Sequence, residues 1–376
     1  MKKKYRILIY PLIVMGFVLM LTNSCKKTDE QAIDKYTVQI DKLADSLVTK
    51  LTYNGKAVPL PGLIIGIWAP DRNYSYLKAK GYANLATKRP MQVSDLYRIA
   101  SVTKTFTSVM LLQLVDEGKI GLDDTIDKYL SGIPNGGLIT IRQLLAMQSG
   151  LFEVNNDSVI GHAFETDPNH YFSPQELLAA IKRHPPVFQP GERTVYCNSN
   201  FIIAGILIEK LTGQTYREAL HARISQPLGM ANTSFSESQW MPTGKSYSSG
   251  YMADSNKDYF EVTEKFNMSV AYSAGAIISD IEELKKWVLN LTSGTLVSTS
   301  MLNQMEIFHP IFPDTEYGLG LMRFRDNYIG HGGDGMGYHN FLARNPKKNI
   351  TIAIFFNGEY PYPQYIFYDL IKILEQ

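Results

Sequence analysis

Hydrophobic positions recur along the chain with two different periods. Ile33, Tyr36, Ile40, Leu43, Leu47 and Leu51 are three or four residues apart, which puts all six on one face of a helix. Gly62 to Trp68 and Tyr74 to Tyr82 read as strands, and Pro70-Asp71-Arg72-Asn73 between them supplies turn residues, so the pair predicts a hairpin. The middle of the chain returns to the helical period. Ser101 to Glu117 carries Val102, Phe106, Val109, Met110, Leu112 and Leu114 in helical register and stops at Gly118. Thr140, Ser173 and Thr215 read as N-caps, with Pro174 at the first helical position and Glu176 completing a capping box behind Ser173. Asn198 to Leu211, ended by Gly213, predicts a long apolar helix, and Asp280 to Leu291 a shorter one. Strands return at Tyr317 to Phe324, Tyr338 to Asn345 and Ile350 to Asn357, before a closing helix at Tyr365 to Leu374. This order predicts a two-lobed α+β fold: an antiparallel sheet from both chain ends, flanked by helices, with an inserted, mostly helical lobe. A site is expected between the lobes.

The start of the chain follows a different logic. Lys2, Lys3, Lys4 and Arg6 precede the apolar run Ile7 to Leu21, which falls short of the ~20 residues of a membrane-spanning helix but suits a secretory signal. Leu21-Thr22-Asn23-Ser24-Cys25 resembles a loose bacterial lipobox, which implies cleavage before Cys25 and its lipidation. An ordinary cleaved signal and an uncleaved anchor are the alternatives. The expected division is a signal over 1–24, a lipidated tether and helix over 25–54, and one large domain over 55–376. The localisation that follows is the cell envelope, with the protein lipid-anchored to a bacterial membrane.

Composition narrows the function. The 376 residues are 45% hydrophobic, enough for a full core, and 37 basic against 36 acidic residues leave no footprint for a nucleic-acid partner. Two cysteines, Cys25 and Cys197, exclude a disulfide framework and any cysteine-rich zinc module. His162, His170, His184, His221, His309 and His339 show no paired spacing on one helix and are read as structural or surface residues, so no metal is expected. Arg323 and Arg325 could meet an anionic substrate, with a solvated strand edge as the plainer reading.

Three short motifs carry the candidate chemistry. Ser101-Val102-Thr103-Lys104 places a serine and a lysine three residues apart, one above the other on a helix face, where a lysine of lowered pKa could deprotonate the hydroxyl. Ser24 with Lys27 and Thr125 with Lys128 share that spacing, so it is the markedly apolar helix behind Ser101 that separates this pair from them. Tyr196-Cys197-Asn198 offers a phenol and an amide, although Tyr338-His339-Asn340 repeats the pattern. His331-Gly332-Gly333-Asp334-Gly335 lets a backbone approach a ligand closely, with a glycine-rich turn as the plain alternative.

Together and in this order, the three motifs resemble the serine β-lactamase and penicillin-recognising enzyme superfamily, in its branch of class C β-lactamases, D-alanyl-D-alanine carboxypeptidases and esterases. The likeness runs over roughly residues 55 to 360. It implies Ser101 as acylated nucleophile, Lys104 as its proton partner, Tyr196 as base and then acid, and Asn198 holding the substrate amide. It further implies His331 supporting Tyr196 and the substrate end, with an oxyanion hole from the NH groups of Ser101 and Asp334 along Gly332 and Gly333. The implied function is an exported hydrolase working through an acyl-enzyme on an ester or amide, carboxypeptidase-like or esterase, without cofactor. Its substrate would be a small molecule or peptide, cell-wall fragments among them, and its membrane contact the lipid anchor. A β-lactamase and a non-catalytic penicillin-binding or sensing protein are the alternatives. The third motif reads His-Gly-Gly where relatives carry Lys-Thr-Gly or His-Thr-Gly, which counts against efficient β-lactam hydrolysis. Cys197 is expected to point away as a structural thiol.

Overall fold

The computed structural model describes residues 35–53 and 56–376. The expected signal, Cys25, the tether up to residue 34 and Ile33 lie outside them. Labels below cover helices of eight residues or more and the strands of the large sheet.

Helix α1 spans 35–49. The hairpin β1 (Gly62–Ala69) and β2 (Tyr74–Asn84) follows, with a short β3 (Arg89–Pro90). The helical middle contains α2 (Thr103–Asp116), α3 (Ser158–Thr166), α4 (Pro174–Lys182), α5 (Asn198–Thr212) and α6 (Ile281–Ser293). The chain then returns through β4 (His309–Phe312), β5 (Thr315–Tyr317), β6 (Met322–Phe324), β7 (Tyr328–Gly335), β8 (Tyr338–Asn345) and β9 (Ile350–Phe356), and closes with α7 (Pro363–Leu374).

The nine strands form one antiparallel sheet in the order β4-β5-β6-β7-β8-β9-β1-β2-β3. The two chain ends meet at its centre, where β9 pairs with β1 from Thr351 opposite Trp68 to Phe356 opposite Leu63. Every residue of β9 is buried, and so is every residue of β1 except Trp68, which explains why both read as continuous apolar runs without alternation. Phe367 of α7 packs on Phe324, Tyr328 and Phe341. On α1, Asp41 accepts from the Tyr76 hydroxyl at 2.9 Å and from Lys78 Nζ at 2.7 Å, fixing that helix to β2.

The α+β expectation holds, with more strands than the sequence patterns suggested. Tyr317 to Phe324 is two strands, because Gly318 and the left-handed Gly320 (φ 77°) break it. His331 to Gly335 lies within the eight-residue β7, so the glycine-rich segment is a strand and not a turn. Thr140, Ser173 and Thr215 each close a capping box, with Gln143, Glu176 and Glu218. Of the three tryptophans, Trp287 is fully buried and stacks on Phe106 with centroids 3.8 Å apart, while Trp240 is exposed.

Candidate active site

Helix α2 starts two residues later than expected, at Thr103. Ala100–Val102 forms a 3-10 turn before it, and Ser101 sits in that turn. Ala100 holds φ at 46°, a left-handed conformation that costs an alanine roughly 1–2 kcal/mol. Strand β7 pins it there: Gly335 comes so close that a Cβ on it would lie 3.0 Å from the Ala100 Cβ. The sharp bend points Ser101 into a cavity of about 1230 Å³ whose lining also includes Tyr196, Asn198, Gly332, Gly333 and Asp334. Lys104 and His331 are buried beneath that lining.

Residues from Thr103 through Leu112 on α2 are all buried, as are Ser199 through Ile208 on α5, so the two helices form the centre of the helical lobe. A lysine in such a place must find acceptors. Lys104 Nζ donates to Ser101 Oγ at 2.9 Å, Asn198 Oδ1 at 2.7 Å and the Ala274 carbonyl at 2.8 Å. Burial drives its pKa down to about 7, opposed by the charge of Glu153. The short helix Tyr272–Gly275 carries the third acceptor and is held by Thr107 Oγ1 donating to the Ser273 carbonyl at 2.6 Å.

Tyr196 ends the extended segment before α5, and Asn198 is the first residue of that helix. Lys104 Nζ lies 4.9 Å from the Tyr196 ring centroid, over its face. Burial raises the phenol's pKa, the Ser101 side chain beside it lowers it, and Glu153 and Asp334 raise it further. The phenol is therefore protonated throughout the neutral range. Cys197 is buried, with its thiol against the carbonyls of Leu151 at 3.5 Å and Phe152 at 3.7 Å, and burial pushes its pKa up to about 12. That is an inert structural thiol.

His331 is bonded on both sides of its ring. Its Nδ1 bonds the Gly332 carbonyl at 2.5 Å, which only accepts, so Nδ1 carries the proton. Its Nε2 bonds the Tyr317 hydroxyl at 3.1 Å, and as the free nitrogen of a neutral ring it accepts from Tyr317. The ring lies 6.2 Å, centroid to centroid, from Tyr196. Burial, and then the nearby Lys104, depress its pKa to about 3. This histidine is a neutral link between β7 and β5.

Three participants were not legible in the sequence: Glu153, Tyr317 and the Ala274 carbonyl. Glu153 binds Asn198 twice, from a loop that gave no periodic signal. Among the described residues no cluster of histidine, cysteine or carboxylate side chains could hold a metal. His170 pairs with Glu176 and His184 with Asp157, in keeping with structural roles.

The Ser101 turn, a Tyr-x-Asn helix start and a glycine-rich strand thus line one cavity over a buried lysine. The β-lactamase family model matches residues 51–371. The chain belongs to the β-lactamase family, within the serine penicillin-recognising superfamily. This family member is a serine hydrolase. It is similar to penicillin-binding protein 4* of Bacillus subtilis (strain 168), 23% identical over 339 residues that cover 85% of this chain and 71% of the relative. It spans 57% of the length of several other curated relatives. Among solved structures, a D-stereospecific amidohydrolase from Streptomyces sp. is 32% identical, with a TM-score of 0.71 over 80% of this chain and 90% of that one. The D-amino acid amidase of Ochrobactrum anthropi SV3, solved with D-phenylalanine, is 26% identical, with a TM-score of 0.71 over 80% of this chain and 87% of that one.

Proposed function

We propose that this β-lactamase-family hydrolase cleaves amides or esters of small molecules through an acyl-enzyme on Ser101, with neutral Lys104 as the base. The observation that carries the reading is the set of three acceptors around Lys104 Nζ. A neutral amine has two N–H bonds and one lone pair. With the N–H bonds committed to Asn198 Oδ1 and the Ala274 carbonyl, the lone pair faces the Ser101 hydroxyl.

Ser101 Oγ then attacks the substrate carbonyl carbon while its proton passes to Lys104. In this proposal the NH groups of Ser101 and Asp334 meet the oxyanion. The bond to the leaving atom breaks as the Tyr196 phenol protonates it, and Lys104 returns its proton to Tyr196. Water repeats the sequence on the acyl-enzyme. A phenol of raised pKa suits the acid role and not that of the resting base, so this division of labour favours Lys104 for deprotonation.

The electrostatics of the cavity favour an amide or neutral ester over a substrate with a free terminal carboxylate. Its lining cations Arg325 and Lys372 are paired with Asp314 and Asp369, and His331 is neutral. Similarity to amidases that act on amino-acid derivatives supports the same reading. The second reading, a carboxypeptidase of the penicillin-binding kind, draws on the likeness to penicillin-binding protein 4*. Export and lipidation at Cys25 are proposed from the sequence alone; Cys25→Ala should remain in the precursor form.

The test is intact-mass spectrometry of the chain after adding a penicillin, and separately an activated amino-acid ester, with Ser101→Ala in parallel. Rapid turnover of the ester with a transient Ser101-dependent adduct supports the amidase or esterase reading. A lasting penicillin adduct with little ester turnover would move the assignment to the penicillin-binding class. Hydrolysis unchanged in Ser101→Ala would overturn the nucleophile.

A further inference from the structure

The cavity is larger than the reaction at Ser101 requires, since small-molecule pockets commonly occupy ~300–1,000 Å³. Its volume of about 1230 Å³ extends from Ser101, Tyr196 and Asn198 to a wall built from β4 and the start of α7. On that wall Phe312, Tyr362 and Tyr365 are 48%, 52% and 66% exposed. Large rings left open to this extent and gathered from two separate elements around one cavity offer flat apolar surface to whatever enters. The wall is braced. Gln364 Nε2 donates to the Tyr368 hydroxyl at 3.0 Å and to Thr315 Oγ1 at 3.4 Å, tying the first turn of α7 to β5.

We infer that this aromatic wall is a subsite for the leaving group of the substrate, and that it takes a neutral, flat aromatic or extended apolar group. The inference rests on the proposed acyl transfer at Ser101. Two observations fix the side and the chemistry. Phe312 lies 6.1 Å, centroid to centroid, from Tyr196, the phenol that protonates the leaving atom, so the departing group lies beside Phe312. Asn198, tethered to Glu153, lines the same cavity. Beside the wall the charges cancel in pairs, Arg325 with Asp314 and Lys372 with Asp369, and the one further charged residue of the lining, Asp334, lies 3.2 Å from His339 Nδ1.

The experiment holds the acyl group constant and varies what leaves. Acetate esters of ethanol, benzyl alcohol and 2-naphthylmethanol are compared, each kcat/KM divided by that ester's hydroxide-catalysed rate. The expected naphthylmethyl-to-ethyl ratio is about tenfold or more, the effect of one well-packed aromatic contact. Phe312→Ala and Tyr365→Ala should each lower that ratio several-fold, while Trp240→Ala, an exposed ring outside the cavity lining, leaves it unchanged. A wild-type ratio near one, or a ratio untouched by both wall variants, overturns the subsite. In a second series with ethanol leaving throughout, a preference for phenylacetyl over acetyl that Phe312→Ala and Tyr365→Ala abolish would overturn the placement on the leaving side. Ethyl acetate hydrolysis that survives in Ser101→Ala would overturn the acyl-transfer reading itself, independently of the wall.

Discussion

Glu153 grips Asn198 with both carboxylate oxygens, accepting from its backbone N–H at 2.5 Å and from its side-chain Nδ2 at 3.1 Å. Because Nδ2 is taken by Glu153, Oδ1 is the atom that Asn198 turns to Lys104. The same carboxylate stabilises the lysine's ammonium form against burial. Glu153→Gln removes the charge and one of the two acceptor oxygens. Lys104 should then lose its proton more readily, moving the acidic limb of the kcat/KM profile below that of the wild type. Turnover at the plateau should fall several-fold as Asn198 loosens. An unmoved acidic limb in a full pH profile would remove Glu153 from the proton balance.

For the wild type, a base whose pKa is about 7 sets the profile directly. Kcat/KM should rise with pH and reach half its plateau near pH 7, because only the neutral amine accepts the Ser101 proton. Lys104→Arg keeps a cation but cannot deprotonate, so it should lose on the order of 10³-fold or more in acylation. Pre-steady-state acylation with an activated ester checks both statements. A limb near pH 10, the range of an ordinary lysine, would contradict the role given to burial.

Much of this arrangement was readable before any coordinates. Most of the long helices were marked by periodicity and by their caps, since capping boxes such as Ser173 with Glu176 are local and need no tertiary partner, whereas α3 (Ser158–Thr166) falls in a stretch that read as a loop. Ser101, Lys104, Tyr196 and Asn198 were singled out by motif, and the structure brings them around one ammonium. Glu153 and Tyr317 were not readable, because each acts across 45 and 14 residues of sequence on a partner that only the fold supplies. The character of His331 was hidden for the same reason. Burial beside Lys104, a tertiary fact, makes it neutral.

That neutrality has a cost in acid. The folded chain keeps His331 unprotonated down to about pH 3, whereas an unfolded histidine takes up its proton near pH 6.5. Between those values the unfolded state binds more protons, so stability is fully present above pH 6.5 and is lost as pH falls towards 3. The slope is at most ~1.4 kcal/mol per pH unit for one group. His331→Gln, which keeps an acceptor for Tyr317, should flatten the dependence by that amount. Urea unfolding of both proteins at pH 7, 6, 5 and 4 measures the difference, and parallel curves would mean that His331 is protonated in the folded state.

The last prediction contrasts two neighbouring glycines of β7. A Cβ on Gly333 would collide with the Ile99 carbonyl and come within 3.2 Å of Val102 Cγ2. The first of these is backbone of the segment leading into the Ser101 turn and cannot step aside without moving the nucleophile. Gly333→Ala should therefore destabilise by ~1–3 kcal/mol, the usual cost of overpacking, and lower kcat more than it raises KM. At Gly332 the nearest atoms to a new Cβ are 3.9 Å away, an ordinary contact. Gly332→Thr should fold with stability within ~0.5 kcal/mol of the wild type. It also places a hydroxyl in the cavity lining where the resemblance to Lys-Thr-Gly enzymes implies one that holds a substrate carboxylate. Acylation by penicillin, followed by intact mass, should accelerate in this variant while Gly333→Ala slows. Equal behaviour of the two would mean that strand β7 does not sit against the Ser101 turn as closely as the Gly333 contact requires.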